Sequence, residues 1–126
     1  MDKWLAVGLG GFVGALARYG VGGLVHRYLG SSFPTGTLLV NALGCLLMGA
    51  TVCLVEERQL LGPGVRVFVM IGVLGSFTTF STFGYETLAM LRDGEYPAAF
   101  GNVAANVFLG LAAVWLGWTA VRLLGV

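Results

Sequence analysis

Four stretches of this chain are long and apolar enough to be membrane helices, and they leave little sequence over for anything else. They run over residues 4–29, 37–55, 67–91 and 98–124. About 20 apolar residues in α-helix cross a ~30 Å hydrocarbon core, and at that depth only helices or closed barrels satisfy their own backbone polar groups. The connectors are short and carry the breakers and charges: Gly30-Ser31-Ser32-Phe33-Pro34-Thr35-Gly36, then Glu56-Glu57-Arg58 through Gly62-Pro63-Gly64, then Arg92-Asp93-Gly94-Glu95-Tyr96-Pro97. No linker, low-complexity tract or convincing internal repeat interrupts the pattern. The expectation is therefore an all-α integral membrane protein, one four-span domain over residues 1–126. Trp4, Tyr28, Tyr96 and Trp118 fall near the span ends, where an interfacial aromatic belt belongs.

Charge supports the assignment. Only 10% of residues are charged, where soluble domains run nearer a quarter. The net charge of +1 gives no sign of a nucleic-acid partner or an acidic substrate. The first apolar run lacks a basic leader, so it reads as a span rather than a removable signal. An even number of spans puts both termini on one side, with Lys3, Arg58, Arg66 and Arg122, against Arg27 and Arg92 on the other. That bias mildly favours cytoplasmic termini and leaves room for insertion in both orientations. Cys45 and Cys53 lie in one helix about 12 Å apart, beyond the roughly 7 Å that a disulfide spans, and read as small apolar fillers.

The third span is the anomalous one. Its centre reads Gly75-Ser76-Phe77-Thr78-Thr79-Phe80-Ser81-Thr82-Phe83, a dense run of hydroxyls and evenly spaced phenylalanines beside Gly72 and Gly75. Such a run predicts a broken helix. Backbone that leaves the helix at membrane depth persists only where protein buries it or it lines a cavity, and broken helices often hold an ion or substrate. Ring edges are electropositive, so phenylalanines and hydroxyl donors together suit a small anion. Backbone carbonyls freed at a break suit a hard cation such as Na⁺ instead. The residues alone leave both readings open.

Other intramembrane polar residues are few. Arg18 and Glu86 are the ionisable side chains well inside spans, and charge at that depth normally faces protein or water. Arg18 is expected to anchor structure, by snorkelling or by bonding freed carbonyls. Glu86 suits an aqueous vestibule or a pairing with Arg18. Thr37 lies one turn before Asn41 and Asn102 one turn before Asn106, so each pair shares a helix face. Amide N–H groups are donors, and the two pairs outline a polar track; hydrogen bonding between helices is the plainer alternative. Gly10 and Gly14 form a small-xxx-small pair, and glycines recur in every span, which implies close helix packing and an oligomer.

In length, span count and motif order the whole chain resembles the CrcB/Fluc fluoride channels. The resemblance is carried by Gly11, Gly14 and Arg18, by Gly36-Thr37-Leu38-x-Val40-Asn41-x-x-Gly44, and above all by Gly75-x-x-Thr78-Thr79-Phe80-Ser81-Thr82-Phe83 followed by Glu86. It implies an antiparallel homodimer with dual topology and two anion pores in a cell inner (plasma) membrane. It also implies a structural Na⁺ shared at the dimer interface through backbone carbonyls at Gly75 and Thr78. Phe80 and Phe83 would contact fluoride by their ring edges. Asn41 would lie in the pore, Ser81 and Thr82 would contribute to a polar track with Thr37 and Asn106, and Glu86 would lie near the ion path. The chain departs from some members at Asn106, where they carry histidine, and at Gly110, where they carry serine; Asn102 or Asn106 is left to compensate.

The function so implied is passive, fluoride-selective export. Hydrogen fluoride crosses membranes uncharged and ionises inside, and a conductive route lets the membrane potential drive the anion out. The chain shows no P-loop and no nucleophile–base set, and His26 stands at a span end without metal-ligand neighbours, so an enzyme is not expected. The alternative is a small proton-coupled multidrug exporter, which matches in size but needs a shared membrane-embedded carboxylate where this first span carries Arg18. A third reading is a non-transporting assembly subunit.

Overall fold

A computed structural model describes residues 2–125 and is helical throughout its long segments. Helix α1 (Lys3–Leu29) is capped by Asp2, whose carboxylate accepts from the Trp4 N–H at 3.4 Å. At 27 residues it is about 40 Å long, enough to cross a bilayer. It stops at Gly30, which takes a left-handed φ of 46° and donates its N–H to the His26 carbonyl, a C-terminal cap that glycine adopts without a Cβ penalty. Helix α2 (Thr35–Glu57) is α-helical over Thr35–Val52 and winds into π-helix over Cys53–Glu57.

The third apolar stretch, Pro63–Arg92, is two segments. Helix α3 (63–77) starts at Pro63 and is π-wound over Val67–Leu74. Helix α4 is Phe80–Arg92. Between them Thr78 (φ −77°, ψ 157°) and Thr79 (φ −148°, ψ 112°) have extended dihedrals. Helix α5 (Tyr96–Leu123) has Pro97 in its first turn, where a missing N–H costs nothing. That placement starts the last helix two residues before residue 98. Likewise Pro63 starts the third stretch four residues before residue 67.

Two glycine seams hold the helices together. On one, α1 meets α3: a β-carbon on Gly10 would lie 2.5 Å from the Phe68 carbonyl oxygen and 2.9 Å from Gly72 Cα, and one on Gly14 would overlap the Val73 carbonyl. On the other, α2 meets α5: Gly49 lies against the Val114 carbonyl and Gly117 against that of Leu46. These are backbone-on-backbone contacts of the kind small residues permit in lipid, where dispersion rather than water exclusion drives helix association. The core is thin. Val40, Cys53, Ala6 and Ala99 are buried, while Phe12, Tyr85, Phe100, Phe108 and Trp115 stand outside, the inverse of a water-soluble domain and the arrangement lipid or a further protein surface would cover.

Candidate functional site

The extended link at Thr78–Thr79 is held by side chains from other helices. A continuing α-helix would direct the Thr79 N–H to the Gly75 carbonyl, four residues back. Instead it donates to Asn41 Oδ1 of α2 at 2.8 Å, and Asn41 Nδ2 donates to the Thr79 carbonyl at 3.2 Å. One amide thus satisfies both polar groups of one residue, which buried backbone in lipid requires. Thr79 is itself buried and caps α4: its hydroxyl oxygen accepts from the Thr82 N–H at 3.2 Å, and its O–H donates to Thr82 Oγ1 at 2.9 Å. Thr78 lines the same cavity as Thr79 and donates its hydroxyl to the Leu74 carbonyl at 3.1 Å.

From Asn41 the bonds continue into α5 and return to α4. Asn41 Nδ2 also donates to Asn106 Oδ1 at 3.0 Å. Asn106 Nδ2 donates to the Asn102 carbonyl and to Asn102 Oδ1, each at 3.0 Å. Asn102, fully buried, donates to Thr87 Oγ1 at 3.0 Å, and Thr87 donates to the Phe83 carbonyl at 2.8 Å. The order is fixed by its ends, because Thr79 N–H can only donate and the Phe83 carbonyl can only accept. Every amide orientation between them follows. The chain begins at Thr79 and ends at Phe83, so it brackets Phe80 and fixes where both rings stand. Those rings lie 5.4 Å apart, tilted by 56°, a favourable aromatic arrangement; Phe83 is buried and Phe80 is 83% exposed.

Three cavities share walls around this network. One, of about 260 Å³, is lined by His26, Phe33, Thr35, Thr37 and Glu86. A second, of about 520 Å³, shares Thr37 with it and adds Arg18, Tyr19, Thr79 and Thr82. A third, of about 250 Å³, shares Thr79 with the second and is lined by Asn41, Cys45, Phe80, Phe83 and Asn106. Between the first two, Thr37 Oγ1 donates to Glu86 Oε1 at 2.6 Å, while Glu86 Oε2 is buried without a protein donor. Arg18 is half-buried in the wall of the second and makes no ion pair with Glu86 among the described residues. Ser81 lies exposed beside Thr82, its Oγ 3.4 Å from that of Thr79. Gly75 is exposed, and a β-carbon there would meet only the Met70 carbonyl, at 3.6 Å.

The structure therefore brings Asn41, Thr82, Phe80, Phe83 and Asn106 into one linked group and places Thr37 with Glu86 beside it. Two of its members were not singled out as site residues by sequence. Thr79 was readable only as one hydroxyl among several, although a threonine three residues before another at a helix start is a recognisable N-cap signal. Thr87 gave no signal, since a threonine inside a helix commonly bonds its own preceding turn, as it does here to Phe83.

Four long apolar helices around a buried amide–hydroxyl chain define a multi-pass membrane protein with a polar site at membrane depth. Residues 5–118 match the family described as CrcB-like protein, Camphor Resistance (CrcB), and the chain belongs to that family. It is 49% identical over 118 residues to a protein of Thermus thermophilus, covering 94% of each chain. It is 48% identical over 122 residues to one of Opitutus terrae, covering 95% of this chain and 92% of that one. A third, from Nitratidesulfovibrio vulgaris, is 45% identical over 123 residues, 98% of this chain and 99% of that one. Each of the three is named a fluoride-specific ion channel FluC.

Proposed function

We propose that this protein is a passive, fluoride-selective anion channel that lets fluoride leave the cytoplasm across the plasma membrane. The carrying observation is the row of three cavities with shared walls, ending at Phe80 and Phe83, in a chain whose relatives of matching length bear the fluoride-channel name. An anion entering at Glu86 and Thr37 passes the hydroxyls of Thr82 and Ser81 and then the electropositive ring edges. Selectivity comes from exchanging water for these few contacts in a narrow passage.

The committed hydrogen bonds assign the amides a supporting part. Both N–H groups of Asn41 go to protein acceptors, as do those of Asn106, so in this state the two amides shape the passage and the donors left over are hydroxyls and ring edges. Phe80, Ser81, Thr82 and Tyr85 form an exposed strip of mixed polarity on α4. Hydroxyls facing lipid are unfavourable, and a second, antiparallel copy laid over this strip covers them and completes the passage. The Thr79–Asn41 bond deprives the Gly75 carbonyl of its usual α-helical donor, and Gly75 is exposed near the end of α3. Carbonyls there and at Thr78 suit a hard cation such as Na⁺, and no cluster of three or more His, Cys, Asp or Glu among the described residues competes for one. Na⁺ held there would join the two copies and supply fixed positive charge.

The test is ion release from liposomes carrying the purified protein. Fluoride efflux with little chloride efflux is expected; equal release of both anions ends the selectivity claim. Cross-linking between introduced cysteines on α4 tests the antiparallel pairing, and efflux with Na⁺ replaced by an organic cation tests the ion's part.

A further inference from the structure

The seam between α2 and α5 changes character one turn beyond its amides. Cys45 follows Asn41 by four residues and so shares its face of α2; it lines the same cavity as Asn41, Phe80, Phe83 and Asn106. Gly110 follows Asn106 by the same interval. A β-carbon built on Gly110 would lie 3.5 Å from Cys45 Sγ, an ordinary contact, so the sulfur rests against bare helix backbone where a larger residue would crowd it. One further turn on, Gly49 closes onto the Val114 carbonyl. Cys45 is thus the last heteroatom side chain on this wall of the cavity. It is half-buried and free of any disulfide, and it makes no hydrogen bond among the described residues. Its neighbours Asn41 and Asn106 have both donors occupied. A thiol S–H is a weak donor, but here it is an uncommitted one.

We propose that the Cys45 thiol is a wall group of the anion passage, a contact fluoride makes beside Phe80 and Phe83, so that enlarging this one side chain closes the passage. The inference rests on the channel reading above and adds to it a specificity-determining residue. Cys53 differs in every respect that matters: it is fully buried, and its thiol lies 3.9 Å from Glu57 Oε2.

The experiment is fluoride efflux from proteoliposomes before and after methyl methanethiosulfonate. The cysteine sulfur, as thiolate, attacks the reagent's sulfenyl sulfur; a disulfide to a methylthio group forms and methanesulfinate leaves. Wild-type efflux is expected to fall about tenfold or more, because an occluding group in a narrow passage blocks conduction outright. Cys45→Ala is expected to conduct more slowly than wild type, having lost the thiol contact, and to be indifferent to the reagent, and Cys53→Ala to remain sensitive. Cys45→Ser, which keeps a donor at similar size, is expected to conduct and resist as well. Fluoride in the medium is expected to slow the modification of Cys45, followed by mass, relative to sulfate at equal ionic strength; a merely structural thiol would show no such protection. Complete modification of Cys45 with unchanged efflux overturns the proposal, as does inhibition that persists in Cys45→Ala. A wild-type protein that conducts fluoride and ignores modification breaks this inference alone. One that conducts no fluoride at all breaks the channel reading and this inference with it.

Discussion

The two helical segments on either side of Thr78–Thr79 are held by opposite means. Helix α3 is fixed by shape: Gly10 and Gly14 of α1 bring backbone against Phe68, Gly72 and Val73, with no room for a methyl group. Helix α4 is fixed by direction: a hydrogen-bond chain through Asn41, Asn106, Asn102 and Thr87 ties its first residues at both ends. Dispersion contacts fall off within an ångström of misfit, so the glycine seam makes α3 a rigid reference. Hydrogen bonds specify which atoms meet, so the amide chain sets where the rings and hydroxyls of α4 point. A site with two kinds of polar surface on adjacent backbone needs both: one half that does not move and one half that is aimed.

Gly14→Leu should have the largest effect. Overlap with the Val73 carbonyl cannot be relieved by a rotamer change, and overpacking of about 3 kcal/mol should appear as loss of monodisperse protein on size exclusion. Stable, fully active Gly14→Leu protein would show that α3 is not held by shape. Asn41→Ala comes next. It strands the N–H and carbonyl of buried Thr79 together with Asn106 Oδ1, at about 1–3 kcal/mol for a buried group left unpaired. Asn41→Asp restores the acceptor for Thr79 N–H but neither donor, so it should not recover wild-type stability in thermal unfolding. If Asn41→Ala unfolds like wild type, the directional account of α4 fails.

Phe80→Ile and Phe83→Ile should keep the fold and reduce fluoride efflux. An aromatic contact of about 0.5–1.5 kcal/mol corresponds to roughly two- to thirteenfold in rate, and wild-type efflux from both variants would remove the rings from the mechanism. Thr87→Val deprives Asn102 of its acceptor at the far end of the chain. It should cost about 1 kcal/mol and alter efflux less than Asn41→Ala does; an equal effect would mean the chain has no preferred end. The smallest change is expected from Arg66→Gln, in the first turn of α3 and away from the glycine seam. Its 3.6 Å pairing with Glu56 joins two side chains that are each about half exposed, and such pairs contribute about 0–1 kcal/mol.

Much of the architecture was readable without coordinates. Apolar length alone demands four helices, and the proline and glycine connectors bound them, although Pro63 and Pro97, which the sequence pattern assigns to connectors, stand inside helix starts. A proline in a first turn has no lost bond to betray it. The hydroxyl–phenylalanine run located the irregular backbone for a similar reason: its composition is unsuited to a lipid-facing helix, and that is a local property.

What the chain could not declare by itself is which polar atoms meet. Asn41, Thr79 and Asn106 are separated by 38 and 65 positions along the sequence, and no spacing rule links them. From residue type alone Asn41 offered two free donors; packing commits both. Thr79 was one threonine among several until its N–H and carbonyl turned toward Asn41, and Cys45 was a filler until Gly110 left its sulfur facing the same cavity. Sequence determines helices in lipid because their hydrogen bonds are satisfied within each segment. The site was decided only by tertiary structure, because its hydrogen bonds are satisfied between segments.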